Sequence, residues 1–169
     1  LMHFFDQKHH NLYLSFEYYF LLINSIFLIH LCDKGFEEKY KNKLWENLEA
    51  ATKFPDFNPG HFLDVGRAGE GVAVAYDWLY DDWTPEQRKA MEKMMYEFVL
   101  IPMINSYKTS YVMEGGASWI NQASNQNVVM NNAGLGCAIG LIDSYPDDAA
   151  QHIANVCRSL ELPLALFAP

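Results

Sequence analysis

The sequence predicts an all-α domain, an incomplete (α/α) toroid built of helical hairpins. Three observations carry this expectation. Apolar residues recur at three- and four-residue spacing along most of the chain, and no segment alternates convincingly like a strand. Segments rich in glycine and alanine follow segments with one charged face, as when buried helices nest inside amphipathic ones. Breaks rich in Gly, Pro, Asn and Asp separate the segments. No exact repeat is visible, which argues against a standard repeat protein. A chain of 169 residues suits one hydrophobic core, so residues 1–169 are read as a single helical domain.

Residues 12–31 form the first expected helix, apolar nearly all round and therefore interior. The run approaches the length of a membrane span. Glu17, Asn24, Ser25 and His30 interrupt it, and a charged group such as Glu17 in lipid costs about 3 kcal/mol. A signal or anchor segment after Lys8 is the alternative, although Leu31 before Cys32 suits neither a small-residue cleavage site nor a lipidation site.

Asp33, Lys34 and Gly35 break the chain before a second helix over about 36–53. Phe36, Tyr40, Leu44, Trp45 and Leu48 recur at helical spacing, and Glu and Lys fill the opposite face of an outer, amphipathic helix. Pro55, Asn58, Pro59 and Gly60 make a loop. The third helix covers about 62–80. Gly66, Gly69 and Gly71 each weaken it by about 1 kcal/mol, so their clustering points to close backbone contact with a neighbour or a ligand. Residues 72–80 are small, then aromatic, again an interior pattern.

Thr84, Pro85 and Gln87 form the clearest local signal. Thr84 caps the fourth helix, Pro85 suits its first position, and Gln87 completes a capping box. That helix runs to about Ser106 with Met91, Met94, Met95, Phe98 and Val99 inward, and Pro102 is expected to kink or end it. Residues 107–124 read as a loop with Tyr107, Tyr111, Gly115, Gly116 and Trp119. A loop of this length in a compact domain is often functional. The fifth helix spans about 126–142, where Ala133, Gly134, Gly136, Ala138 and Gly140 require a crowded position. Ser144 and Pro146 open a sixth helix, about 146–160, with Ile153, Val156 and Leu160 inward, and Pro163 begins the next element.

A formal charge of −9 argues against a nucleic-acid surface, which needs clustered Lys and Arg, so any anionic ligand must be held by local groups in a cleft. Half of the residues are hydrophobic and 15% aromatic, which excludes a disordered chain. Cys32, Cys137 and Cys157 occupy apolar, helix-like contexts without short spacing and read as buried thiols, not as disulfides or zinc ligands. The sequence contains no phosphate loop, nucleophile elbow or metal-ligand spacing, and no cofactor is expected. The apolar run from Leu164 to Pro169 leads us to expect a longer protein.

Two stretches resemble a known family. One is Phe54-Pro55-Asp56-Phe57-Asn58-Pro59-Gly60-His61-Phe62-Leu63-Asp64-Val65, followed by residues 73–80, Ala-Val-Ala-Tyr-Asp-Trp-Leu-Tyr. The other runs from Trp119 to Leu135, through Asn121-Gln122-Ala123-Ser124-Asn125-Gln126-Asn127. Both look like the helical domain of the heparinase II/III-like polysaccharide lyases and related alginate lyases, over about residues 54–169. The resemblance implies a toroid followed by a β-sandwich domain that this chain lacks. It also implies β-elimination on an acidic polysaccharide or oligosaccharide.

In that reaction the proton beside a carboxylate is removed, and charge builds on the carboxylate oxygens. One positioned donor contributes about 3–4 kcal/mol to such a transition state. A tyrosine serves as base where its neighbours lower its pKa. Asn125 matches the neutralising position that the resemblance implies, and Trp119, Asn121, Gln122 and Asn127 are the accompanying substrate-binding candidates. The pattern departs at Gln126, where the family commonly has an aromatic residue, and no His lies between His61 and His152. The family's catalytic Tyr belongs to a stretch beyond Pro169, and neither Tyr107 nor Tyr111 stands in for it.

Structural roles compete with each of these. Asn125 also suits a helix N-cap. Trp119 serves equally as a plug that pins the loop, and Asn121, Gln122, Asn127, Asn131 and Asn132 as polar support. Asp77 is either a buried acid bonded to a helix end or a cleft acid. His61 and Asp64 precede a helix whose dipole favours Asp64. A glycoside hydrolase toroid would need two acids drawn from Asp64, Glu70 and Asp77. A non-catalytic helical module binding glycan or protein would show an exposed apolar face. The sequence thus implies an inactive segment of an exported lyase, periplasmic or secreted. Its expected partners are an acidic glycan, the missing C-terminal domain and, to cover missing neighbours, a homo-oligomer.

Overall fold

A computed structural model describes residues 34–109 and 119–167. The expected helix over 12–31, with its span and signal alternatives, lies outside the described residues, as do Cys32, Tyr111, Gly115 and Gly116. The described residues are mostly helical, with no strand among them. The chain divides into two compact units, Leu1–Pro55 and Asp56–Pro169, where the sequence reading treats 1–169 as one domain.

In the first unit α1 spans Lys34–Ala51. Leu44, Asn47, Leu48 and Ala51 are its buried stripe, while Glu38, Lys39, Asn42, Lys43, Glu46 and Glu49 stay exposed. This is the amphipathic face that the apolar spacing predicts.

The second unit opens on a turn. Asn58 takes a left-handed backbone (φ 56°) while its N–H donates to Asp56 Oδ1 at 2.7 Å, a side-chain-closed turn that Asn tolerates well. Its amide also donates to Asp64 Oδ2 at 2.8 Å, tying the turn to the first turn of α2, Phe62–Trp78. Next, α3 (Pro85–Met94) begins with the expected capping box: the Gln87 N–H donates to Thr84 Oγ1, and the Thr84 N–H donates to Gln87 Oε1. Such a cap contributes about 1 kcal/mol.

Pro102 neither ends this helix nor stops its hydrogen bonding. The helix widens into a π turn over Met95–Leu100, where the Ile101 N–H reaches Tyr96 O, and continues as α4, Ile101–Thr109. A proline removes one donor and crowds the carbonyl four residues back. The wider register absorbs both effects locally. A 3-10 turn over Trp119–Asn121 leads to α5, Asn125–Gly140, and then to α6, Pro146–Leu164. The sequence places a new element at Pro163, yet this residue is buried within the last turn of α6, and a short 3-10 turn follows at Ala165–Phe167.

Contacts set the layering. Gly66 meets Met130, Gly69 O accepts from the Cys137 thiol, Gly136 meets Ala73, and Gly140 meets Tyr76. The numbers rise together, so α2 and α5 run parallel and side by side. Asn127 and Asn131 reach Ser159, and Gly134 meets His152, so α5 and α6 are antiparallel. Tyr96 donates to Asp148 and Tyr107 to Asn131, which lays α3–α4 along α6 and antiparallel to α5. Two helical hairpins, α2–α3 and α5–α6, are therefore stacked with like partners in register. The first is clasped by Trp83 Nε1 donating to Ala75 O (2.8 Å) and Tyr76 OH donating to Glu92 (2.8 Å).

Inward residues are mostly as expected for the methionines: Met91, Met94, Met95 and Val99 are buried, while Phe98 is half-buried against Phe57. In α6 only Val156 of the three expected residues is buried. The inward stripe is Ala149, His152, Val156, Ser159 and Pro163, with Ile153 and Leu160 half-buried beside it. Of the thiols, Cys137 is buried, with burial pushing its pKa up, but Cys157 is exposed, contrary to expectation, because it falls outside the inward stripe.

Close approach through glycine gives a direct test. A Cβ on Gly69 would stand 2.9 Å from Val99 Cγ1 and 3.0 Å from Cγ2. Gly69→Ala is expected to destabilise the chain by about 1–3 kcal/mol in urea unfolding, and adding Val99→Ala should recover part of that loss. Additive losses in the double variant would contradict this packing.

Candidate functional site

The asparagine-rich stretch is divided between the core and an open surface. Asn127, one turn into α5, is fully buried. Its Nδ2 donates to Ile120 O at 2.9 Å and to Ser159 Oγ at 3.0 Å. Asn131, a turn further on, donates to Asn127 Oδ1 at 2.8 Å and to Ser159 Oγ at 3.2 Å, and its own Oδ1 accepts from Tyr107 OH. Ser159 Oγ in turn donates to Ile120 O at 3.0 Å. The chain Tyr107–Asn131–Asn127–Ser159 thus joins α4, α5 and α6 and seats the 119–121 turn through the Ile120 carbonyl. A buried amide without partners costs about 1–3 kcal/mol, and here both Asn127 N–H groups are used.

Trp119 lies beneath this chain with no exposed surface, its ring 5.5 Å from Phe62 and 5.8 Å from Tyr107. It is the plug of the two roles the sequence allows. Trp119 and Asn127, both expected to bind substrate, are packing residues: their aromatic and amide groups are enclosed by the helices that they join. Tyr107 titrates higher than a free phenol, chiefly because it is buried, which is the wrong direction for a base. Tyr76 and Tyr96 are also shifted upward, the first mainly by burial and the second mainly by its bond to Asp148.

Asn125, Asn121 and Gln122 have a different setting. Asn125 is exposed in the first residue of α5, and Ser124 holds the N-cap position with an extended backbone, so Asn125 is not the cap. Asn121 is exposed and Gln122 half-buried at the preceding turn. Along α5, Asn125, Val128, Asn132 and Ile139 form one exposed stripe at helical spacing. The neighbouring stripe of α2 carries Arg67, Glu70, Val74 and Asp77, and Asn132 Nδ2 donates to Glu70 Oε1 at 3.2 Å across the two helices. The parallel pair therefore presents a face of amides, two well-separated carboxylates, Arg67 and apolar groups, with the N-terminus of α5 at one end. The unsatisfied N–H groups of a helix start favour negative charge there by about 0.3–1 kcal/mol.

The candidate acids do not gather. Asp64 is buried, accepts from Asn58 and lies 3.2 Å from His61 Nδ1. Asp77 is exposed, not a buried cap. Glu70 and Asp77 stand seven residues apart, about 10 Å along the helix axis. Among the described residues no three His, Cys, Asp or Glu side chains come together as a metal-holding group, and no helix is long and apolar enough to cross a membrane.

Sequence reasoning missed Ser159 and Tyr107 as the anchors of the Asn cluster. The available signal was the seven-residue recurrence Ala149, Val156, Pro163 with His152 and Ser159 between them, a stripe whose polar members need internal partners. Compared with known proteins, the sequence matches no protein-family model and no curated protein.

Asn127→Leu keeps the branched shape but removes the amide that donates to Ile120 O and Ser159 Oγ and accepts from Asn131. It is expected to cost about 2–4 kcal/mol in urea unfolding followed by tryptophan fluorescence. A loss no greater than that of a surface control such as Asn42→Leu would dismiss the polar chain as a structural element.

Proposed function

We propose that this chain is a segment of an (α/α) toroid of a uronate-directed polysaccharide lyase, in which the open α2–α5 face meets the glycan and Asn125 neutralises the uronate carboxylate. The observation that carries this reading is the exposure of Asn125 at the start of α5, in line with Asn132, which bonds Glu70 across the helix pair. The parallel pairing of two glycine-lined helices, backed by α3–α4 and α6, also agrees with a toroid in which inner helices share one direction.

The chemistry asks for a donor at the carboxylate that does not itself carry charge away. A neutral amide supplies N–H groups to the developing dianion, and the helix start behind it adds a positive field. Trp119 contributes by pinning the turn and not by stacking on sugar. The proton-abstracting group is not supplied by Tyr107, whose hydroxyl is committed to Asn131. The reading therefore assigns this chain the carboxylate-binding half of the reaction and no complete active site, and it places the whole enzyme outside the cytoplasm, where such glycans are met.

A glycoside hydrolase would require two carboxylic acids about 5–9.5 Å apart. Asp64 is committed to Asn58, and Glu70 and Asp77 are spread along two turns of α2, so the lyase reading is preferred.

Titration calorimetry with uronate oligosaccharides tests it. Binding is expected, with Asn125→Ala weakening it roughly tenfold, the effect of one charge-assisted hydrogen bond, while the unfolding midpoint stays unchanged. The unmodified chain is expected to generate no unsaturated-uronate absorbance. Equal affinity for neutral oligosaccharides, or indifference to Asn125→Ala, would refute the assignment.

A further inference from the structure

His152 occupies the inward stripe of α6 with no exposed surface, and neither ring nitrogen has a hydrogen-bond partner. Most buried polar groups are paired, so an imidazole enclosed without any partner calls for a reason. The surrounding elements explain how it fits. On α5, Gly134 leaves the notch that the ring fills: a Cβ there would overlap His152 Nε2 and the Met103 sulfur. On α4, Tyr107 meets the ring edge-on, with centroids 5.8 Å apart and planes at 73°.

Among the described residues, the titratable and charged groups that bear on this position can be taken element by element. Tyr107 is the one that faces the ring from α4, and its hydroxyl is given to Asn131. On α5 the Cys137 thiol, one turn past Gly134, points away to the Gly69 carbonyl. On α6 itself Asp148 accepts from Tyr96, and Arg158 is exposed and bonded to Ala154 O and Asn155. Among the described residues no carboxylate is hydrogen-bonded to the ring. Burial alone lowers the pKa of His152 from 6.5 to about 4.

We propose that His152 is an acid-operated latch: neutral, it lets α6 close on α4 and α5, and protonated, it forces them apart and unseats the Tyr107–Asn131–Asn127–Ser159 chain beneath the 119–121 turn. The inference stands on the packing of α4, α5 and α6 and does not depend on what the open face binds. The sign follows from linkage. The folded chain holds the ring neutral below the pH at which the unfolded chain protonates it. The stabilising contribution is thus complete above about pH 6.5 and is lost as pH falls toward 4. Between pH 7 and pH 5 the folding constant should drop about 20-fold from this group, a window lying above most of the carboxylate range. Release of the turn would couple that loss to Trp119, whose fluorescence reports it.

The test uses the full chain. Urea unfolding at pH 7, 6 and 5 is expected to show the 20-fold decline, and His152→Met, which fills the volume without a titrating ring, is expected to remove most of it. A decline of the same size in His152→Met would overturn the latch. The ring-proton NMR titration of the unaltered chain needs no variant. Of its six histidines, one should stay neutral to about pH 5 or until the chain unfolds. All six titrating near the ordinary value would overturn it equally.

Discussion

The second unit depends on the cost of leaving amides unpaired inside it. Asn127 and Asn131 are both fully buried, and each occupies a position that apolar side chains would fill more cheaply. They are retained with partners: the Ile120 carbonyl, Ser159 Oγ, Tyr107 OH and each other. Because this chain ties Asn127 and Asn131 of α5 to Tyr107 of α4, Ser159 of α6 and the Ile120 carbonyl, none of α4, α5, α6 or the 119–121 turn can shift without breaking a bond in a low-dielectric setting. Leu or Met at these positions would pack, but without fixing the register of three helices against one turn.

That register has consequences for the surface. Holding the 119–121 turn fixes where α5 starts, and with it the direction in which Asn125 points. Gly66, Gly136 and Gly140 face the partner helix at ordinary contact distance and Gly69 O accepts from the Cys137 thiol, so α2 and α5 lie side by side and Glu70 and Asn132 meet across the pair. The open face is thus positioned from behind by polar bonds and from the side by the packing of α2 on α5. The same arrangement places His152 where it has neither solvent nor partner, so the junction that orients the face also carries an acid-sensitive group.

Much of the helical architecture was legible residue by residue. The Thr84–Gln87 capping box, the glycine clustering in α2 and the small-residue run in α5 each reported a local or nearest-neighbour constraint, and each appears in the structure as the sequence implies. The site was less legible. An Asn-rich stretch reads as a ligand surface because exposed amides and buried amides are chemically identical in a sequence. Only their partners separate Asn127, which is internal, from Asn125, which is exposed. Trp119 is ambiguous for the same reason, since an indole suits a sugar face and a packed core alike. The π turn before Pro102 was also beyond reach: a proline announces a lost donor, but whether the backbone ends, bends or widens depends on whether neighbours hold both sides in line.

What the sequence determined by itself was the helical class, the positions of the breaks, and which helices must be crowded, because caps, prolines and glycines act through the backbone within a few residues. What the tertiary structure alone decided was direction and enclosure. It set α2 and α5 parallel, turned the inward stripe of α6 toward His152 and Ser159 instead of Ile153 and Leu160, and sorted the asparagines into anchors and surface groups. Those outcomes rest on partners contributed from 20 to 70 residues away in the chain, where the burial of a polar group is favourable or prohibitive according to what another helix offers it.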